Sequence, residues 1–210
     1  MLKFFKKFID KVFKDIFKGK KELKIGLYGP PNAGKSTLAN KICIDWIGKE
    51  LSSVSSMPHE TREIQIAEQV SIESNGKELT FSLVDTPGIA TKIDYEDFMK
   101  RGMKKTEAKE RAKEATKGVI EAIKWLDEMD IVVVVLDSTL DPYSQVNITI
   151  IANLQARNIP VLIVANKTYL KKANLKRIEE AFPQYEIVGI SAKTGKSMDE
   201  FYEGLLEVAR

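Results

Sequence analysis

Gly29-Pro30-Pro31-Asn32-Ala33-Gly34-Lys35-Ser36 decides the fold of this chain. It follows an alternating stretch, Leu23-Lys24-Ile25-Gly26-Leu27-Tyr28, and opens a segment with helical spacing from Lys35 to about Ile47. The pattern G-x-x-x-x-G-K-[ST] between a strand and a helix is specific for a phosphate cradle. Its glycines let backbone N–H groups turn inward, and the helix start adds positive potential at the same point. Lys35 reaches the β- and γ-phosphates in this arrangement, Ser36 presents a hydroxyl to Mg²⁺, and Thr37 is placed for the α-phosphate.

Outward from the cradle, strands and helices alternate. Ile64, Ile66, Val70 and Ile72 share one face of a long strand. Asn75-Gly76 predicts a tight hairpin into a return strand from Leu79 to Val84. A helix is expected from about Glu107 to Met129, after a polar stretch. A continuous apolar run at Ile131–Leu136 reads as a buried parallel strand. A helix over 143–157, a strand at Pro160–Ala165, a short helix near 175–182, a strand at Tyr185–Ile190 and a helix at 197–209 complete the pattern. The expectation is an α/β chain: a three-layer, doubly wound, mostly parallel six-stranded sheet with one antiparallel edge strand.

Three further segments lie at the carboxyl ends of predicted strands, where open α/β sheets bind ligands. They are Asp85-Thr86-Pro87-Gly88, Asn166-Lys167 and Ser191-Ala192-Lys193. Asp85 is placed as a second carboxylate near the metal, and the Gly88 N–H as a sensor of the γ-phosphate.

At these residues the chain resembles the TrmE–Era family of translation-associated GTPases, over about residues 23–210. G-P-P-N-A-G-K-S looks like that family's first motif, D-T-P-G its third and S-A-K its fifth. Pro58-His59-Glu60-Thr61-Arg62 resembles its switch I signature. The resemblance implies a P-loop NTPase of the Ras-like G-domain fold that hydrolyses GTP to GDP. It implies Lys35, Thr61 and Gly88 as catalytic residues, and Ser36, Thr61 and Asp85 as Mg²⁺ ligands. It further implies nucleotide contacts from Gly29, Asn32, Ala33, Gly34, Lys35, Ser36, Thr37, Asn166, Lys167, Ser191, Ala192 and Lys193.

Three positions bear on how such a site would work. Ile89 follows D-T-P-G, where Ras-like proteins carry the glutamine that orients water, so slow intrinsic hydrolysis is expected. Asn32 matches an asparagine that in relatives helps hold K⁺ against the phosphates; the alternative is that it only shapes the loop. The fourth motif, normally N-K-x-D, reads Asn166-Lys167-Thr168-Tyr169. Its missing aspartate is the group that accepts from guanine N1 and N2, so guanine selectivity is expected to be looser.

Composition adds limits. The chain has 210 residues, enough for one domain with a full core. The single cysteine, Cys43, excludes an internal disulfide, reads as a buried structural thiol and suits a reducing compartment. His59, the only histidine, falls in the switch I loop and reads as a solvated loop residue. Of the net charge of +3, residues 1–24 contribute +6, with nine Lys against Asp10, Asp15 and Glu22. The remainder is net acidic and on charge alone is no nucleic-acid binder.

That basic segment divides the chain into residues 1–22, an amphipathic helix, and residues 23–210, the G domain, with an extended switch II over 86–117. Leu2, Phe4, Phe5, Phe8, Ile9, Val12, Phe13, Ile16 and Phe17 fill one arc of a helical wheel. Lys3, Lys7, Lys11, Lys14 and Lys18 fill the other. Three readings follow: a helix lying on anionic lipid, a helix docked on the G domain, or a helix paired with a partner. It is too short and charged to span a bilayer. Residues 91–117, with nine Lys/Arg and six Asp/Glu, read as a solvated face or a docking switch for protein effectors.

The functional expectation is a Mg²⁺-dependent GTP switch, K⁺-stimulated if Asn32 holds that ion. It is placed in the cytoplasm, with peripheral contact to the inner face of the membrane through residues 2–18. The alternatives are a ribosome or RNA assembly factor and a nucleotide-bound membrane scaffold with negligible hydrolysis. Against the assembly factor stands the expectation that a chain ending at Arg210 leaves no room for an appended RNA-binding domain.

Overall fold

The structure, a computed structural model, describes residues 2–30, 32–50, 67–74, 76–85, 104, 106 and 126–209. Eleven elements are described: α1 (Leu2–Phe17), β1 (Glu22–Gly29), α2 (Lys35–Ile47), β2 (Ala67–Ser74), β3 (Lys77–Asp85), β4 (Ile131–Asp137), α3 (Gln145–Arg157), β5 (Val161–Asn166), α4 (Leu175–Ala181), β6 (Glu186–Gly189) and α5 (Met198–Val208). Ile64 and Ile66, and the body of the helix expected over 107–129, lie outside the described residues. Leu126 and Met129 from the end of that stretch are buried.

One six-stranded sheet runs in the order β2-β3-β1-β4-β5-β6. β1 is parallel to both β3 and β4, and β4, β5 and β6 continue parallel. Among the described strands only β2 is antiparallel, joined to β3 by the hairpin at Gly76 with Val70 facing Phe81 and Ile72 facing Leu79. This is the expected sheet, with the antiparallel strand at its edge.

Period-two alternation along the strands sorts the core into two layers. Ile25 and Leu27 of β1, Val133 and Val135 of β4 and Leu162 and Val164 of β5 face α1, α2 and α5. Val132, Val134 and Leu136 of β4 and Ile163 and Ala165 of β5 face α3 and α4. Cys43 is buried in the first layer, where burial pushes its thiol pKa up.

The helix α1 docks on the first layer. Val12, Phe13, Ile16 and Phe17 are buried, with Phe8 partly so, against α2 and α5. The Phe13 ring stacks on Trp46 with centroids 4.8 Å apart and meets Tyr202 edge-on at 6.1 Å. Burying one such phenylalanine stabilises by about 1.5–3 kcal/mol, and each aromatic pair adds about 0.5–1.5 kcal/mol. Of the readings offered by the helical wheel, this arrangement is the docked one. Lys7, Lys11, Lys14 and Lys18 stay exposed on the far side.

Candidate functional site

The chain leaves β1 for β3 on one side and returns to β4 on the other, so the sheet order reverses at β1. Its carboxyl end is the crevice where such sheets hold ligands. The glycine loop lies there, between β1 and α2.

Two glycines make the loop possible. Gly29 has φ 152°, and a Cβ on it would lie 2.2 Å from the backbone oxygen of Val135 in β4. Gly34 caps α2 at φ 102°, and its Cβ would lie 2.2 Å from Asn166 Nδ2. Any side chain at either place would collide with fixed structure and strain the backbone. Between them, Asn32 is left-handed at φ 60°.

No side chain caps the start of α2. Its first-turn N–H groups and its dipole are therefore directed at whatever the loop holds. Lys35 is 5% exposed and folds back into the loop, its ammonium donating to the carbonyls of Gly29 and Pro30 at 3.0 Å each. An ammonium resting on two neutral carbonyls exchanges readily for phosphate oxygens, which bind it more strongly. Ser36 and Thr37 are exposed at the same helix start, and Ala33 is buried. Asp85 ends β3 directly beside Gly29 in the ladder, which brings its backbone to the loop. The Asp85 side chain, Pro31, His59, Thr61, Gly88 and Ile89 lie outside the described residues.

The loops after β5 and β6 are tied to the cradle by one side chain. Asn166 is 3% exposed; its Nδ2 donates to the Ala33 carbonyl at 2.8 Å, and its Oδ1 accepts from the Ala192 N–H at 3.1 Å. Three of the sequence-predicted segments thus meet on a single amide. A buried group with both ends satisfied costs little and orders what it touches.

Ser191, fully buried, closes its own turn. Its carbonyl accepts from the Gly195 N–H at 2.8 Å, and its hydroxyl accepts from the Thr194 hydroxyl at 2.7 Å. Lys193 stays exposed at the rim.

Lys167 has a partner that sequence reasoning missed. Its ammonium lies 2.6 Å from Asp137, which ends β4, one residue beyond the predicted strand. Asp137 also accepts from the Thr139 N–H at 2.9 Å and hydroxyl at 2.7 Å. Burial pushes the Asp137 carboxyl up, but the hydrogen bonds from Lys167 and Thr139 more than reverse this and hold it below its ordinary value. A carboxylate closing an apolar run at a strand's carboxyl end was the available signal. Its partner, 30 residues away, was not.

Tyr169 is 45% exposed, and the Lys193 ammonium lies 5.9 Å from its ring centroid. No group of three or more His, Cys, Asp or Glu among the described residues could hold a metal. The proposed Mg²⁺ set draws instead on Ser36 together with undescribed groups.

A doubly wound sheet with a glycine cradle at its switch point, and a lysine folded into that cradle, defines a P-loop G domain. The chain belongs to the family described as 50S ribosome-binding GTPase, whose model matches residues 24–167. It is 31% identical over 185 residues to GTPase Era of Clostridium acetobutylicum, covering 85% of this chain and 53% of that one. It is 28% identical over 190 residues to GTPase Der of Lachnospira eligens, covering 86% and 37%. The chain spans about half or less of the length of these curated relatives. A crystal structure of Aquifex aeolicus Era bound to GDP·AlF4⁻ shares the fold, with a TM-score of 0.54 at 24% identity over 90% of this chain and 57% of that one.

Proposed function

We propose that the chain binds GTP and hydrolyses it to GDP and phosphate as a Mg²⁺-dependent molecular switch. The observation that carries this is the cradle itself, with Gly29 and Gly34 pressed against other backbone and side chains and Lys35 resting on two carbonyls inside it. In this reading the N–H groups of Gly29, Asn32, Ala33 and Gly34 wrap the phosphates, and Lys35 pairs with the β- and γ-phosphates. Thr37 takes the α-phosphate. Asn166, Lys167, Ser191, Ala192 and Lys193 surround the base.

Ser36, Asp85 and Thr61 would hold Mg²⁺, whose chemistry is to neutralise charge on the β- and γ-phosphate oxygens. The Gly88 N–H would sense the γ-phosphate. With Ile89 where a water-orienting side chain is usual, turnover is slow. A K⁺ ion bound through Asn32 would add positive charge beside the phosphates; the left-handed backbone at Asn32 also fits a purely loop-shaping role. Equal turnover in K⁺ and Na⁺ would remove that part of the reading.

The decisive experiment measures GDP affinity and single-turnover GTP hydrolysis with Mg²⁺, in wild type and Lys35→Ala. Nucleotide binding that does not need Lys35, or none at all, would refute the assignment.

Residues 1–22 are proposed as an appended helix and 23–210 as the G domain, with switch II extending over 86–117 as a docking site for effectors. A second reading, assembly on ribosomal RNA or contact with anionic lipid, is favoured by the exposed Lys7, Lys11 and Lys14 of α1 and Lys18 just beyond it. Among the described residues no helix is long and apolar enough to cross a membrane, so such lipid contact would be peripheral. Co-sedimentation with ribosomes and liposome flotation, each with full-length and residue-23-onward chains, separate these partners. Equal behaviour of both chains would exclude a role for α1.

A further inference from the structure

A purine nucleotide is read at its edges. Guanine offers acceptors at N7 and O6 and donors at N1 and the 2-amino group; hypoxanthine keeps all of these except the 2-amino group. A pocket that distinguishes the two must place an acceptor beside the 2-amino donor, and a missing acceptor there leaves that group unread.

The two halves of the base end are not equally equipped. Toward the cradle, Asn166 and Ala192 are buried and fixed to each other. The second proton of Asn166 Nδ2 suits an N7 acceptor, and the Ala192 N–H can be shared with an O6 acceptor. Toward the rim, the loop Asn166-Lys167-Thr168-Tyr169-Leu170-Lys171-Lys172-Ala173 contains no carboxylate. Neither does Ser191-Ala192-Lys193-Thr194-Gly195-Lys196-Ser197.

The carboxylate facing Lys167 is Asp137, already occupied by that lysine and by Thr139. Tyr169 is half out in solvent with the Lys193 ammonium over its ring. This side of the site is rich in donors.

We propose that the base site accepts 6-oxopurine nucleotides as a class, reading N7 and O6 but not the 2-amino group, so that inosine and guanine nucleotides bind alike. The proposal rests on the nucleotide-binding reading above and names its substrate class. Adenine is disfavoured, because its 6-amino donor meets the Ala192 donor.

Calorimetric titration of the full chain with GDP, IDP and ADP in Mg²⁺ tests it. GDP and IDP should agree within about threefold, and ADP should bind at least ~10-fold more weakly. In Tyr169→Asp, folding checked by circular dichroism, GDP should gain about 5- to 150-fold, the worth of an acceptor restored to otherwise unpaired donors, and IDP, which offers that carboxylate N1–H alone, should gain less. Tyr169→Phe should leave the GDP-to-IDP ratio unchanged.

Wild-type preference for GDP over IDP by more than about tenfold overturns the proposal, since something then reads the 2-amino group. Selective loss of GDP binding in Tyr169→Phe overturns it too, by assigning that reading to the phenol. ADP binding as tightly as GDP removes the O6 reading. Failure of all three nucleotides to bind overturns the nucleotide-binding assignment itself, and this proposal with it.

Discussion

The proposed phosphate end of the site and its proposed base end are built by different means. At the phosphate end, residues 29–37, nearly every contact is backbone: two glycines pressed against neighbours, an uncapped helix start and a lysine lying on carbonyls. At the base end the geometry is set by side chains from distant strands, with Asn166 bridging Ala33 to Ala192 and Asp137 holding Lys167. Backbone architecture tolerates almost no substitution, because a Cβ has nowhere to go. A side-chain architecture can lose one member and persist, which is how Tyr169 stands where an aspartate is usual without disturbing the cradle.

That contrast can be broken in four places. The largest effect is expected at Gly29→Ala, whose Cβ would meet the Val135 backbone oxygen at 2.2 Å. Overpacking and strain together should cost about 2–5 kcal/mol, read as a fall in the denaturant midpoint. A neutral Gly29→Ala would mean that the loop is not held as described.

Lys35→Ala should leave stability nearly intact while cutting single-turnover hydrolysis by at least ~10²-fold, as expected for loss of a phosphate clamp. Asn166→Ala should weaken GDP binding by roughly 10-fold and also lower stability by about 1–3 kcal/mol, because two buried partners lose their hydrogen bonds. If it affected binding alone, the bridge would not be structural.

The smallest effect is expected at Asp137→Asn, and it depends on pH. The Asp137 pKa is depressed in the folded chain, so its contribution is present above the unfolded value near 3.8 and is lost as pH falls through the folded value. The variant should therefore be less stable than wild type by about 1–2 kcal/mol at pH 7, with the gap closing below about pH 4. A gap that persisted at low pH would show that the carboxylate is not what Lys167 needs.

Much of the architecture was legible before any coordinates. The buried parallel strand at Ile131–Leu136, the Gly76 hairpin and the start of α2 at Lys35 all follow from local apolar runs and turn chemistry. Boundaries moved by a residue or so: β4 runs on to Asp137, and β6 is shorter than expected at Glu186–Gly189, because Tyr185 still belongs to the turn that closes on Phe182. The helix α1 marks the limit of such reasoning. Its wheel predicts an apolar face, but a face is only a demand for burial, and lipid, partner or own domain satisfies it equally well. The complementary surface, Trp46 on α2 and Tyr202 on α5, comes from residues 33 and 189 positions beyond Phe13.

The sequence by itself determined the glycine loop between β1 and α2, the order of the described strands and helices, and the departure at Tyr169, because each is encoded in contiguous residues whose spacing has few physical solutions. Only the tertiary structure decided that Asn166 ties three loops together, that Asp137 holds Lys167, and that the Phe13 face of α1 is covered by α2 and α5. Those contacts join residues far apart in the chain. Their energy depends on where the sheet brings them, which no local pattern specifies.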